Sequence, residues 1–146
     1  MKTVLQRVKS ASVTIDDKLF SKIEKGLLIL LGIEKNDTQK DADYLVEKIL
    51  KLRIFEDDNE KMNFSINDIK GEILVVSQFT LAGDCKKGTR PSFDNAKKPQ
   101  EANELYEYFV QKLKKSDLKI QTGVFRAMMD VALVNDGPVT FVLDSK

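Results

Sequence analysis

Apolar residues in this chain recur with two periods, which predict strands in some segments and helices in others. Residues 26–32 form the most hydrophobic run, and their short length between two glycines favours a strand buried on both faces over a helix. Residues 3–8 and 11–15 are apolar or alternating, with a polar break after them, and also read as strands. Residues 71–76 predict another strand, which leads directly into residues 77–81.

Two later segments carry apolar residues at helical spacing. The first predicted helix begins near Thr38, where Asp41 three residues on resembles a capping box. The second begins near Pro99, which suits the first turn of a helix. Their apolar stripes are Ala42, Leu45, Val46, Ile49 and Leu50 in one helix, and Ala102, Leu105, Tyr106, Phe109, Val110 and Leu113 in the other. With strands around 119–122 and 131–143, the pattern predicts an α/β domain in which two amphipathic helices pack on a sheet.

Two polar features interrupt the apolar pattern of the predicted strands. Asn135, Asp136, Gly137 and Pro138 interrupt the last apolar run. Because glycine accepts positive φ and proline fixes φ, local chemistry predicts a plain turn between two buried strands. Arg7 places a charge inside the first strand, either on the solvent face or as a buried donor that holds carbonyl groups.

Composition sets the class of protein. The chain has 146 residues, 42% apolar and 32% charged, which is typical of one globular domain spanning residues 1–146. Its net charge of +1 means that a polyanion would need a local basic patch. The single cysteine, Cys85, suits a reducing compartment, and no apolar run resembles a signal peptide or membrane span. We therefore expect a cytoplasmic protein with no membrane partner.

The absence of histidine excludes most familiar catalytic relays. With His 0, neither a Ser-His-Asp nor a Cys-His arrangement is possible, and the commonest acid or base at neutral pH is missing. One cysteine and no histidine also make a zinc site unexpected, and no loop has EF-hand spacing. The sequence implies neither a metal nor a cofactor.

Polar residues at the end of the predicted 71–76 strand are candidates for a site. Ser77, Gln78, Phe79 and Thr80 offer two hydroxyl groups, an amide and backbone donors where α/β proteins often bind ligands. A hydroxyl nucleophile needs an adjacent base, which a lysine would have to supply here. The alternative is a strand end whose hydroxyls satisfy local backbone groups.

Residues 82–98 form the least regular segment. Lys86, Lys87, Arg90 and Phe93 combine cations with an aromatic ring, as in a loop that grips phosphates and stacks a base. The alternative is a solvated basic loop. Phe125, Met128 and Met129 are candidates either for a pocket wall or for the core.

Four segments together, residues 5–8, 77–81, 87–93 and 135–140, resemble the D-aminoacyl-tRNA deacylase family. The resemblance extends from Met1 to Ser145, with the segments in matching order and spacing. One departure is visible, because the family generally has Phe-Gly-Ala-x-Met where this chain has Arg126 after Phe125.

The resemblance implies a three-layer α/β/β homodimer that hydrolyses the ester between tRNA and a D-amino acid or glycine, without metal or cofactor. Ser77, Gln78, Phe79 and Thr80 would form the catalytic wall of a pocket at the dimer interface. Substrate binding and chiral selection would fall to Gly137 and Pro138, as a cis dipeptide from the partner subunit, with Arg7, Phe125, Met129 and Asn135. Lys86, Lys87, Arg90 and Phe93 would bind tRNA. The competing interpretation is a non-catalytic RNA-binding module that uses the basic loop 86–98.

Overall fold

A mixed, nearly barrel-like sheet with two helices forms this protein, and the computed structural model describes residues 1–146. The strands are β1 Lys2–Ile15, β2 Lys18–Ile23, β3 Gly26–Gly32, β4 Phe55–Glu56, β5 Met62–Phe64, β6 Glu72–Ser77, β7 Ile120–Thr122 and β8 Asp130–Asp144. The helices are α1 Gln39–Lys51 and α2 Pro99–Leu113, and a 3-10 turn spans Phe79–Ala82.

The long strand β1 organises the sheet. It pairs antiparallel with β8 along most of its length, with β3 through its first half and with β2 through its second half. Strand β6 then runs parallel to β3, and β7 runs parallel to β6. Because the helices connect these parallel strands, the carboxyl end of β6 opens near the start of α2.

Strand β3 separates two apolar cores. Leu27, Ile29 and Leu31 join a core of 21 buried residues that includes the inner faces of both helices. Leu28 points the other way, into a core of seven buried residues with Leu74 of β6. The prediction of a strand buried on both faces is therefore confirmed.

Both predicted helix starts are confirmed. The Thr38 amide donates to the Asp41 carboxylate at 2.8 Å, which satisfies one of the free amides before α1. Pro99 occupies the first turn of α2, and every residue of the predicted α2 stripe is buried. The Tyr106 hydroxyl donates to the Val75 carbonyl at 2.9 Å and ties α2 to β6, while burial raises the pKa of this tyrosine. Neither helix has the length and apolar character needed to cross a membrane.

The predicted turn near the C-terminus is wrong. Strand β8 continues from Asp130 to Asp144, because β1 pairs with it on both sides of the glycine and proline. Gln6 pairs with Thr140 and Val8 pairs with Asn135, so residues 136–139 bulge out opposite a single residue of β1. The expectation of buried flanks is also wrong, because the face of β8 that carries Val134 and Val142 is exposed, at 52% and 73%.

Candidate functional site

A cavity of about 690 Å³ opens at the carboxyl end of β6. Ser77, Gln78 and Phe79 line it, and Thr80 follows within the 3-10 turn but does not line it. Eleven of the 17 lining residues are hydrophobic, so polar groups are concentrated at a few positions. This combination of an apolar enclosure and a few polar groups is typical of small-molecule sites.

The two hydroxyl groups at this strand end are not used for local backbone bonding. The Gln78 side-chain amide donates to the Thr80 hydroxyl, and the Ser77 hydroxyl bonds to no protein group. The interpretation that both hydroxyls satisfy nearby backbone is therefore wrong. No lysine or carboxylate contacts either hydroxyl through a hydrogen bond, so neither is activated by a neighbouring base.

The first backbone amides of the 3-10 turn form no hydrogen bonds within that turn. Because 3-10 bonds join residues three apart, the amides of Phe79 and Thr80 have no acceptor within the turn. The turn packs closely on β3, since a Cβ on Gly32 would lie 2.6 Å from Leu81 Cβ. Glycine at the end of β3 thus permits the position of these two amides.

An aromatic pair forms one wall of the cavity. The rings of Phe79 and Phe93 lie 5.0 Å apart at 57°. Phe93 reaches the cavity because Asp84 and Ser92 exchange two backbone hydrogen bonds, of 2.8 and 2.9 Å, which close the loop before it. The loop segment between Asp84 and Ser92 is exposed and carries Lys86, Lys87 and Arg90, none of which lines the cavity.

Another part of the cavity lining comes from the segment before β8. Phe125 lies 5.9 Å from the ring of Tyr106, and the Met129 sulfur accepts a hydrogen bond from the Val124 amide at 3.4 Å. Both Phe125 and Met129 line the cavity, as does Met128, which is 92% exposed. Arg126 lies between them with φ of +64°, so the position where the resemblance expects glycine adopts the backbone region that glycine favours.

Arg7 is a buried donor, only 4% exposed, and the solvent-facing alternative is wrong. Its guanidinium donates to the Ile54 carbonyl at 2.8 Å and to the Asp136 carbonyl at 3.1 Å. The carboxylates of Glu56 and Asp136 lie 3.4 and 3.5 Å from it and balance its charge. Arg7 therefore joins β1, the β4 strand and the bulge of β8.

The bulge exposes Gly137 and Pro138 at the surface, and the peptide bond between them is cis. Gly137 has φ of +131°, and a Cβ there would lie 2.7 Å from Val139 Cγ2 and 3.2 Å from Arg7 Nη2. The Asn135 side-chain amide donates to the carbonyls of Arg7 and Val139, at 2.9 and 3.0 Å. Arg7 and Asn135 thus hold the bulge from both sides.

Within one chain the predicted site residues do not form a single group. The cavity brings together Ser77, Gln78, Phe79, Phe93, Phe125 and Met129, whereas Arg7, Asn135, Gly137 and Pro138 lie outside its lining. Two residues at these groups were not among the predicted site residues: Glu56, which pairs with Arg7, and Lys98 of the basic loop 86–98, which lines the cavity. No local pattern marks Glu56, because its carboxylate meets Arg7 only through the fold. No group of three or more Cys, Asp or Glu side chains is placed to hold a metal ion.

Comparison with known proteins is consistent across the chain. A family model described as D-Tyr-tRNA(Tyr) deacylase matches residues 4–144. The D-aminoacyl-tRNA deacylase of Koribacter versatilis (strain Ellin345) is 59% identical over 146 residues, covering 100% of this chain and 98% of that protein. A solved structure named c-Myc DNA Unwinding Element Binding Protein is 45% identical, with a TM-score of 0.94, and covers 100% of this chain and 99% of its own.

A second solved structure, of a probable eukaryotic D-amino acid tRNA deacylase, has a TM-score of 0.85 at 17% identity and covers 98% of each chain, which shows the shared fold alone. The family resemblance noted in the sequence is confirmed by the match from residue 4 to residue 144 and by the 59% identical relative. The chain belongs to the D-Tyr-tRNA(Tyr) deacylase family.

Proposed function

We propose that this protein hydrolyses the ester bond of D-aminoacyl-tRNA, and of glycine carried by a non-cognate tRNA, to release free amino acid and tRNA. The observation that carries the proposal is that the family segment Ser77–Phe79 is itself the wall of the cavity at the end of β6. The names of the relatives support the same activity. The enzyme would work in the cytoplasm, as a single domain spanning residues 1–146.

The cavity suits the aminoacylated 3′ end of a tRNA. Its volume of about 690 Å³ falls in the range of small-molecule sites. The tilted pair of Phe79 and Phe93 provides faces for a base, because aromatic rings stack on any nucleobase. Lys86, Lys87 and Arg90 lie on the loop that delivers Phe93, where they would contact tRNA phosphates.

Hydrolysis would depend on backbone donors more than on side-chain acids and bases. Water attacks the ester carbonyl, and the resulting oxyanion accepts hydrogen bonds from the amides of Phe79 and Thr80, which lack acceptors within their own turn. The bond between the acyl carbon and the ribose oxygen then breaks, and that oxygen takes up a proton. Because the chain has no histidine, the 2′-hydroxyl of the terminal ribose helps to activate the water.

Chirality would be read by main-chain carbonyl groups of a second subunit. In a three-layer α/β/β homodimer, Gly137 and Pro138 of one subunit face the cavity of the other. Carbonyls accept hydrogen bonds and so capture the substrate's α-ammonium group; a D side chain then points into open space, while an L side chain collides with the same backbone. Glycine has no side chain to exclude. A thousandfold preference requires about 4 kcal/mol.

Two features of the single chain support the partner's contribution. Gly137 and Pro138 are exposed and held in place by Arg7 and Asn135, yet they do not reach the cavity of their own chain. Apolar side chains are exposed beside both groups, Met128 at the cavity and Val134 beside the bulge. Exposed apolar surface of this kind favours burial against another protein.

Mixing two inactive variants tests the cross-subunit arrangement. The first variant, Gly137→Val, disrupts the bulge. The second variant combines Gln78→Ala with Phe79→Ala and disrupts the cavity wall. Each variant should be inactive as a homodimer. If the site forms between subunits, dimers formed after co-refolding should recover about a quarter of wild-type activity, because half of the dimers carry one intact site of two. If each chain builds its own site, the mixture stays inactive.

A second candidate function is nucleic-acid binding without hydrolysis. It is favoured by the exposed cations on the basic loop 86–98 and by the name of the 45% identical structure, a DNA-unwinding-element-binding protein. Binding would then persist with no release of amino acid. Salt sensitivity does not separate the two functions, because both involve phosphate contacts.

Release of amino acid from D-tyrosyl-tRNA separates these functions and also tests the mechanism. Wild-type protein and Thr80→Ala are compared on substrates with and without the terminal 2′-hydroxyl. Thr80→Ala should retain substantial turnover, because its amide remains, whereas loss of the 2′-hydroxyl should slow release strongly. Substrate assistance is wrong if Thr80→Ala abolishes turnover and removal of the 2′-hydroxyl has no effect.

A further inference from the structure

Arg126 is a cation at the cavity that has no partner within the chain. It lines the cavity, is exposed, and takes part in no ion pair or side-chain hydrogen bond. Lys97 also lines the cavity, but its ammonium donates to the Lys35 carbonyl at 2.9 Å and lies 3.7 Å from Glu101. No carboxylate lines this cavity. The charge of Arg126 is therefore available to a ligand.

The backbone at this residue is held in a conformation that side chains disfavour. Arg126 has φ of +64°, which costs a residue with a Cβ about 1 kcal/mol or more relative to glycine. The conformation is fixed by a tight turn, in which the Ala127 amide donates to the Val124 carbonyl at 3.2 Å, and by Met129, whose sulfur accepts from Val124. Strained residues of this kind concentrate at functional sites.

The chemistry of the cavity points to one class of ligand for this cation. The neighbouring wall has the Phe79 and Phe93 rings, which suit a base, and Lys98 is a second cation of the lining that forms no ion pair. A nucleoside bound against those rings continues into a phosphodiester outside the cavity. Guanidinium groups bind phosphate through two parallel hydrogen bonds, which gives geometric selectivity that a lysine lacks.

We propose that Arg126 binds the phosphodiester next to the terminal nucleoside of the substrate RNA, and thereby makes the enzyme prefer an aminoacyl ester carried by a polynucleotide to the same ester on an isolated nucleoside. The inference rests on the proposed deacylase function. It adds a residue that determines substrate class through binding and takes no part in bond breaking.

The chain offers a matched control in Lys70. That residue is also exposed, also has positive φ, of +49°, and forms no ion pair, but it lies before β6 at the end of the strand away from Ser77. Lys70→Gly and Arg126→Gly each remove one cation and relieve one left-handed backbone. Both variants should fold, because glycine accepts positive φ. Arg126→Lys keeps the charge and loses the bidentate geometry.

The test compares D-tyrosyl-tRNA with D-tyrosyl-adenosine, which has no phosphate. In Arg126→Gly, KM for the tRNA ester should rise about tenfold at unchanged kcat. The slope of log KM against the logarithm of salt concentration should also become shallower by about 0.7, which is the contribution of one phosphate contact in a single strand. KM for the adenosine ester should not change. Arg126→Lys should fall between, and Lys70→Gly should match wild type on both substrates.

Equal KM changes on both esters, no change on either, or the same effect in Lys70→Gly would overturn the proposal. A second assay tests the phosphate contact separately from the deacylase function. It measures, by fluorescence anisotropy, the binding of an RNA hairpin that has a single-stranded CCA end and carries no amino acid. If no form of the protein releases amino acid, the deacylase function fails, while about tenfold weaker hairpin binding by Arg126→Gly alone still supports the phosphate contact. Unaltered hairpin binding in that variant refutes the contact.

Discussion

Replacing Arg7 with methionine should destabilise the fold and weaken chiral selection together. Methionine keeps much of the volume of the arginine stem, so the change removes the charged donor without opening a large cavity. Arg7 is 4% exposed and donates to the carbonyls of Ile54 and Asp136. Loss of the guanidinium would leave both carbonyls without that donor.

The magnitude follows from those two carbonyl groups. Leaving a buried acceptor unsatisfied costs about 1–3 kcal/mol, so one buried and one partly buried acceptor give an expected loss of about 2–4 kcal/mol in the free energy of unfolding. The ion pairs add little, because Glu56 is half exposed and lies 3.4 Å away, and the Asp136 carboxylate is partly solvated at 3.5 Å. Release of the bulge should also let the Gly137 carbonyl move and admit L substrates.

Urea unfolding of wild type and Arg7→Met measures the stability, and amino-acid release from D- and L-tyrosyl-tRNA measures the selection. Arg53→Met is the matched control, since Arg53 is exposed and donates to the Asn63 carbonyl at 2.7 Å on the β4–β5 side of the same region. The control should lose at most about 1 kcal/mol. A loss below about 1 kcal/mol in Arg7→Met, with unchanged D over L preference, would refute the role assigned to Arg7.

Three further changes have defined outcomes. Burial by itself raises the pKa of Asp41, but hydrogen bonds from Thr38 and Ser145 outweigh burial and lower it to about 2. The resulting stability is present above about pH 4 and is lost as pH falls towards 2. In urea titrations, Asp41→Asn should therefore lower the free energy of unfolding by about 1 kcal/mol at pH 6, and the difference from wild type should vanish near pH 2. A difference that does not depend on pH contradicts this. Gly137→Ala should reduce D-tyrosyl-tRNA turnover at least about tenfold, because the added methyl group meets neighbouring atoms, and unchanged turnover removes Gly137 from the site. Phe93→Ala should weaken binding of tRNA about tenfold by loss of a stacking face, and unaltered affinity in a filter-binding assay would exclude stacking there.

Local patterns predicted those elements whose stabilising contacts are also local or strongly periodic. The α2 stripe and the double-sided burial of β3 are examples, because side-chain period alone decides which faces are apolar. Strand β2 was not predicted, since Leu19 and Phe20 are exposed and break the alternation of a half-buried strand. Strand β8 was predicted with a turn because Gly137 and Pro138 dominate their neighbourhood, whereas pairing with distant β1 decides the structure.

The candidate site divides in the same way. Ser77 to Phe79 could be placed at a cavity because a strand end followed by polar residues is a local signal. The surroundings of Arg7 could not, because its acceptors lie 47 and 129 residues further along the chain. Arg126 illustrates both limits: its departure from the family pattern is visible in the sequence, but its positive φ and its place at the cavity are not.

Amino-acid release from D-tyrosyl-tRNA and L-tyrosyl-tRNA by the wild-type protein tests the central claim most directly. Both substrates carry the same tRNA, so any difference in rate reports on the stereochemistry at one carbon atom. A chiral deacylase should release D-tyrosine at least about a thousandfold faster than L-tyrosine. Equal rates for the two, or binding of both tRNAs with no release from either, would contradict the account.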